Sequence, residues 1–399
     1  MALLIRRRGG IFSLTGVAKL AVVSLLSYIG LAFVDTIWAV YMEELLHNVV
    51  YVSFLSAFFT IIAFCSYFLL IPTIEKYNKS KLFSTALVLM GISYLLLALN
   101  KNVYFFILVA GIINILISLK VMVFGIIIKD KSSRKNLARN EGVVWSFFNL
   151  SWVIGPLIAG LLSEEYGIPI IFVLASVFLF IAYGIFKVFH IQDANVKKKI
   201  DNKLSKNFWG YFKNKARVDA YILGGGVNFW LILIFLYMPL LIKLESGKNS
   251  YIGYFLFFNT LPLILTEFKM ASIAGKVGFK KMFKLGFLIL ASVSLVAFFV
   301  DNLFGIMALM TLGSFGLAMI EPTTEAYFFD ILKNKKEELR YYGPYNTTIE
   351  ASYFFAKVLS GIFLIFLPLK ALFLFFSFVM FLYFLYCFQI KEVKEKLRK

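Results

Sequence analysis

Charge is scarce in this 399-residue chain, where Asp, Glu, Lys and Arg make up 16% of residues, against about a quarter in an ordinary soluble domain. The acids are scarcer still, 22 against 41 Lys and Arg, for a net charge of +19. The two cysteines, Cys65 and Cys387, both lie in apolar stretches and offer neither a disulfide framework nor a metal-ligand spacing. The two histidines, His47 and His190, fall at or beyond the ends of apolar segments, which removes a membrane-buried histidine relay from consideration. No Gly-rich phosphate loop, Walker sequence, metal-ligand cluster or nucleophile triad is present, so neither an enzyme nor an ATP-driven pump is expected, and no cofactor.

Apolar length, in contrast, is abundant: 61% of residues are hydrophobic. A bilayer core about 30 Å thick takes about 20 apolar residues to cross as a helix, and such blocks follow one another along the chain. Spans are expected at 17–41, 50–72, 82–99, 103–128, 143–163 and 168–189, then at 219–242, 250–268, 283–300, 303–329, 345–367 and 369–390. The first span is too long for the apolar region of a signal peptide and lacks a small-residue cleavage site, so no cleavable leader is expected.

The basic residues decide between a nucleic-acid partner and a membrane topology. They are concentrated in every second connection: Arg6 to Arg8, then Lys76, Lys79 and Lys81, then Lys129 to Arg139, Lys197 to Lys206, Lys276 to Lys281, Lys333 to Arg340, and the tail from Lys391. Alternate connections hold little beyond Lys101, Lys243, Lys248 and Lys370, with Glu43, Glu44, Glu164 and Glu165. By the positive-inside rule both termini face the cytoplasm, the plasma membrane is the expected location, and the charge excess needs no nucleic acid.

Residues 190–218 form the one long gap and divide the spans six and six, giving an N-terminal bundle at 1–189 and a C-terminal bundle at 219–399. A shift of 200 residues aligns Tyr51 with Tyr251, Thr60 with Thr260 and Lys76 with Lys276, in keeping with a parallel repeat. Within the gap, Ile200, Leu204, Phe208 and Tyr211 recur at helical spacing beside Trp209, so 199–213 is expected to be an amphipathic helix on the inner leaflet.

Six plus six spans with cytoplasmic termini and a basic central loop resemble the major facilitator superfamily over essentially the whole chain. That family carries a Gly-x-x-x-Asp-Arg-x-Gly-Arg-Arg-like loop after its second helix. Here Glu75, Lys76, Lys79 and Lys81 keep the acid and the bases, while Ile71 and Asn78 replace the glycines. The copy after span eight keeps Gly278 with Lys276, Lys280 and Lys281 but lacks the acid. In span five, Ser151, Gly155, Pro156 and Gly160 are similar to the Gly-x-x-x-Gly-Pro-x-x-Gly-Gly motif of the family's drug and proton antiporters, with Ser151 and Ala159 in place of two glycines. Small residues at this spacing also simply let helix backbones approach. The resemblance implies an all-α, twelve-helix fold around a central cavity lined by helices one, four, seven and ten.

Charge at the centre of a span costs about 2.5–3.5 kcal/mol on insertion scales and marks function or a partner. Asp35 lies in span one, Lys120 in span four, Glu321 and Glu325 in span ten, and Glu350 and Lys357 in span eleven. Glu321 and Glu325, four apart beside Pro322, share a helix face and would not ionise together easily, which suits a proton carrier. Lys120 sits at a depth similar to Glu321 and is expected to sense its charge, with Asp35 nearer the outer mouth. Glu350 and Lys357, seven apart, brace helix packing on the plainer reading. The function expected is proton-coupled export of a small organic solute by a monomer in the lipid bilayer. Proton-coupled uptake is the alternative, followed by a non-transporting scaffold or receptor, or a protein acting on lipids.

Overall fold

A computed structural model describes residues 5–8, 11–14, 16–131, 137–191 and 204–390. Twelve helices among them are long and apolar enough to cross a membrane, each overlapping one of the expected spans. In chain order the helices are α1 (Gly16–Leu46), α2 (Val49–Leu69), the short α3 (Ile71–Lys76), α4 (Lys79–Leu99), α5 (Val103–Asp130), α6 (Leu137–Tyr166) and α7 (Ile168–Val188). They continue with α8 (Leu204–Phe212), α9 (Lys215–Ile232), α10 (Met238–Ser246), α11 (Asn249–Val277), α12 (Phe279–Phe299), α13 (Leu303–Ile331), α14 (Lys335–Phe366) and α15 (Leu372–Tyr386). A π-helical turn, Leu233–Tyr237, joins α9 to α10 within one span, Lys215–Ser246. A feature the apolar pattern did not announce is a short antiparallel hairpin ahead of α1, β1 (Ile5–Arg8) with β2 (Ile11–Leu14), pairing Ile5 with Leu14.

Local chemistry fixes the helix ends. Pro72, at the start of α3, has no N–H and separates that short helix from α2. Asn78, Asn102 and Asn302 cap α4, α5 and α13, each accepting backbone N–H bonds through the side-chain oxygen. Gly278 enters α12 at φ +100°, a conformation that L side chains rarely adopt.

The described residues form two compact units. The first comprises residues 1–46, 59–200 and 248–254; the second comprises 47–58, 201–247 and 255–399. In the first, small residues bring helices together. A Cβ on Gly155 of α6 would meet the Ala32 Cβ of α1 at 2.6 Å, and Ser151 Oγ donates to the Leu25 carbonyl at 3.0 Å. A Cβ on Gly160 would lie 2.6 Å from the Gly253 Cα of α11. Beside this approach the Glu164 carboxylate accepts the Asn249 N–H at 2.5 Å, satisfying a free donor at the start of α11.

In the second unit, Gly225 and Gly226 admit Ser352 of α14 and Phe287 of α12 against α9. Tyr237, fully buried in the π turn, donates to Ser53 Oγ at 3.0 Å. The central helix is shorter in its described part than expected: α8 starts at Leu204, and the expected 199–203 lies outside the described residues. At Tyr211 its expected apolar side meets protein. Tyr211 is fully buried, donates its hydroxyl to the Arg217 carbonyl at 2.7 Å and stacks near Phe328, while Trp209 remains 67% exposed. Arg217 completes the clamp, donating to the carbonyls of Tyr211 and Gly210 at 3.0 and 2.8 Å with its guanidinium 4.1 Å from the Tyr341 ring. Arg340 Nε adds a bond to Asn207 Oδ1 at 2.8 Å.

Arg217→Ala should therefore release α8 from its seat. Charge-assisted bonds of this kind are worth about 1.5–3 kcal/mol each. The expected result is several-fold faster limited proteolysis around α8 with the remaining fragments intact. An unchanged cleavage rate would mean that the aromatic contacts alone hold the helix.

An ion pair joins the ends of two spans, where Lys370 Nζ lies 2.6 Å from an Asp301 oxygen. The hydrogen bond and charge of Lys370 hold the Asp301 carboxyl below its usual range. The pair is accordingly present at neutral pH and is lost as pH falls through that lowered value. Asp301 is 98% exposed, so Asp301→Asn should shift the melting temperature by no more than about 1 °C at neutral pH.

Candidate functional site

In the first unit the intramembrane charges come from α1 and α5. Asp35 is the one exposed side chain of α1 between Gly16 and Glu44. It lies 19 residues from the helix start and 11 from its end, about 28 and 16 Å at 1.5 Å per residue. A carboxylate at that depth does not face hydrocarbon, so its exposure marks a wetted surface. Lys120 of α5 is fully buried. Its ammonium sits 3.4 Å from the centre of the Tyr28 ring, a cation–π contact, and has no hydrogen-bond partner. Asp35 is within electrostatic reach of both Lys120 and Tyr94. The Tyr28 ring is in turn held edge-on to Phe148 of α6 at 4.6 Å.

In the second unit three acids of α13 and α11 lie near one another. Glu321 of α13 is half-buried, yet its Oε2 is shut off from solvent and has no hydrogen-bond partner. Glu325, one turn on, and Glu267 of α11 both lie within electrostatic reach of it. Glu325 is exposed and Glu267 half-buried. Pro322 deprives the Ala318 carbonyl of its helical donor, and Thr324 Oγ1 donates to the Glu321 carbonyl at 2.7 Å, so the backbone here departs from a regular ladder. Among the described residues no group of three or more His, Cys, Asp and Glu is arranged to hold a metal ion.

Glu350 and Lys357 interact electrostatically along α14. Lys357 Nζ also donates to the Ser56 carbonyl at 3.3 Å, within the same unit. Lys357 thus ties α14 to the first turns of α2.

The loop-motif residues go to helix ends. Glu75 and Lys76 are exposed on α3, with the Lys76 ammonium 5.3 Å from the Tyr77 ring, and Lys79 Nζ donates to the Tyr77 carbonyl at 3.3 Å. Lys276 is exposed in the last turn of α11. Lys280 Nζ donates to the carbonyls of Phe388 and Ile390, both at 2.8 Å, closing off the end of the last helix. In the span-five motif, Ser151 and Gly155 face α1 and Gly160 faces α11, as the distances above give.

Two participants escaped the sequence reading. Glu267 stood at the edge of the expected span 250–268, but α11 runs on to Val277, placing it 10 residues, about 15 Å, inside the helix. Tyr28 carries no signal of its own, since nothing in sequence spacing puts its ring against a lysine of another helix.

Comparison with known proteins bears on the whole arrangement. No curated protein sequence matches the chain. Among solved structures, the fold is similar to that of a POT family transporter in complex with 5-aminolevulinic acid, with a TM-score of 0.78 at 12% identity over 94% of this chain and 95% of that one. It is also similar to the nucleoside transporter NupG, with a TM-score of 0.75 at 12% identity over 94% and 99% of the two chains. A third likeness is to the human organic anion transporter MFSD10 (TETRAN), with a TM-score of 0.65 at 13% identity over 93% and 98%. The sequence pattern of the Major Facilitator Superfamily matches residues 20–266 and 233–399. With twelve membrane-spanning helices and that pattern over nearly its full length, the chain belongs to the Major Facilitator Superfamily, and is a multi-pass membrane transporter rather than an enzyme.

Proposed function

We propose that the protein exports a small organic solute in exchange for protons, by alternating access between two six-helix bundles at 1–189 and 219–399 joined by the linker 190–218. The observation that carries this reading is Glu321: a carboxylate oxygen without solvent or partner, in a transporter helix, beside two further carboxylates. An acid so placed is costly to leave charged and cheap to neutralise, which is what a proton carrier requires. Glu321 or Glu325 exchanges protons with the cytoplasmic side, Asp35 and Lys120 serve the solute in the first bundle, and the loops around Glu75 and Lys276 act in gating. The protein works as a monomer in the plasma membrane with both termini in the cytoplasm. The solved neighbours are described with 5-aminolevulinic acid, nucleosides or organic anions, which fits a small organic solute without selecting one.

The test begins with thermal unfolding of the purified protein against sugars, amino acids, organic anions, nucleosides and lipophilic cations at two pH values. A ligand at 100 times its dissociation constant adds about 2.7 kcal/mol. With the ligand found, proton movement is followed in oriented vesicles. Protons moving opposite to the solute support export, and protons moving with it establish uptake instead.

A further inference from the structure

Resting on the transport reading above, we propose that Asp35 is a binding site for the positive charge of the solute, an organic cation, and that Lys120 is a positioning residue behind it. The accessible charge on the middle of α1 is a carboxylate and nothing else: every other residue between Gly16 and Glu44 is buried or half-buried. The balancing charge is withdrawn. Lys120 is fully buried, its ammonium against the Tyr28 ring at 3.4 Å and without a hydrogen-bond acceptor. A solute approaching this surface meets the acid and cannot reach the base.

The second unit gives the same sign. The carboxylates of Glu267, Glu321 and Glu325 lie within electrostatic reach of one another, and Lys357, beside Glu350, is tied to the Ser56 carbonyl. A solute carrying positive charge suits these surfaces, whereas an anion would need Lys120 to leave its aromatic seat.

Lys120 has a definite effect on such a ligand. Its charge competes with the solute for Asp35 and weakens binding, keeping the solute exchangeable rather than trapped. Removing the ammonium should therefore tighten cation binding, an outcome that a purely structural lysine would not produce.

The experiment uses the full chain in lipid nanodiscs and size-matched probes of opposite charge, tetraphenylphosphonium and tetraphenylborate, with tetramethylammonium and propylammonium as smaller cations. Binding is read by calorimetry. The expected result is binding of at least one cation in preference to tetraphenylborate. Asp35→Asn weakens it roughly 30-fold or more, Asp35→Glu recovers most of the loss, Lys120→Met tightens it several-fold, and Lys120→Arg resembles the native protein.

Binding unaffected by Asp35→Asn in a variant of native melting temperature overturns the proposal. So does preference for tetraphenylborate, failure of all three cations to bind, or weaker cation binding in Lys120→Met. These outcomes are separable from failure of the transport reading, which is decided by solute-driven proton movement and by Glu321→Gln.

Discussion

Glu321→Gln is expected to abolish solute-driven proton movement, by roughly 100-fold or more, while leaving the protein at least as stable as before. Glutamine keeps the shape of the side chain but has no proton to exchange. It also replaces a carboxylate oxygen that has neither water nor partner, and exchanging such a group for a neutral amide is worth about 1 kcal/mol in favour of the fold. Loss of coupling together with an unchanged or higher melting temperature separates a functional acid from a structural one. Glu325→Gln should have the smaller effect, because Glu325 is exposed and water serves its charge. Native coupling in both variants would remove α13 from the proton path.

The largest effect on stability is expected at the Gly160–Gly253 approach. A side chain on Gly160 would meet the Gly253 Cα at 2.6 Å and its backbone N at 2.7 Å, and one on Gly253 would meet the Pro156 carbonyl at 2.7 Å. These are backbone atoms, which cannot rotate away as a side chain can, so α6 and α11 must separate. Gly160→Leu should destabilise by about 3 kcal/mol, the upper end of overpacking penalties. Gly253→Leu should do the same, and the double variant should cost less than the sum because both break one contact. Gly125→Leu and Gly184→Leu provide the control, since a Cβ at either meets nothing within 4 Å. Equal melting temperatures for all four single variants would show that the close approach carries no stability.

The spans were legible because hydrocarbon imposes a length and a composition on any helix that crosses it, and both are local properties of sequence. Their ends were less so. The expected end of span eight at 268 reflects the arrival of Glu267 and Lys269, yet α11 continues to Val277 because charged residues near a membrane surface do not stop a helix. Amphipathic spacing around Tyr211 announced a helix but not its partner: an apolar face serves lipid or protein equally, and at Tyr211 the neighbours are Arg217 and Tyr341. Individual charges such as Asp35 and Glu321 stood out by cost alone. Which groups meet was not legible, because Lys120 lies 85 residues from Asp35 and Glu267 54 residues from Glu321 along the chain, and such pairings belong to helix packing.

The π turn at Leu233–Tyr237 accommodates one residue more than an α-helical turn would. Each residue of an α-helix advances the chain by about 100°. Deleting one residue within 233–237 would therefore restore a regular helix at little cost in backbone bonding, and because the wider turn absorbs the extra residue, Met238–Ser246 would keep its side chains on the same sides. All of Met238 to Ile242 is buried, so losing a residue here should be tolerated better than losing one from a regular turn of the same span, which would swing those side chains by about 100°. Related chains aligned with a one-residue gap at this point would thus carry a regular seventh span that still presents the same side chains to its surroundings.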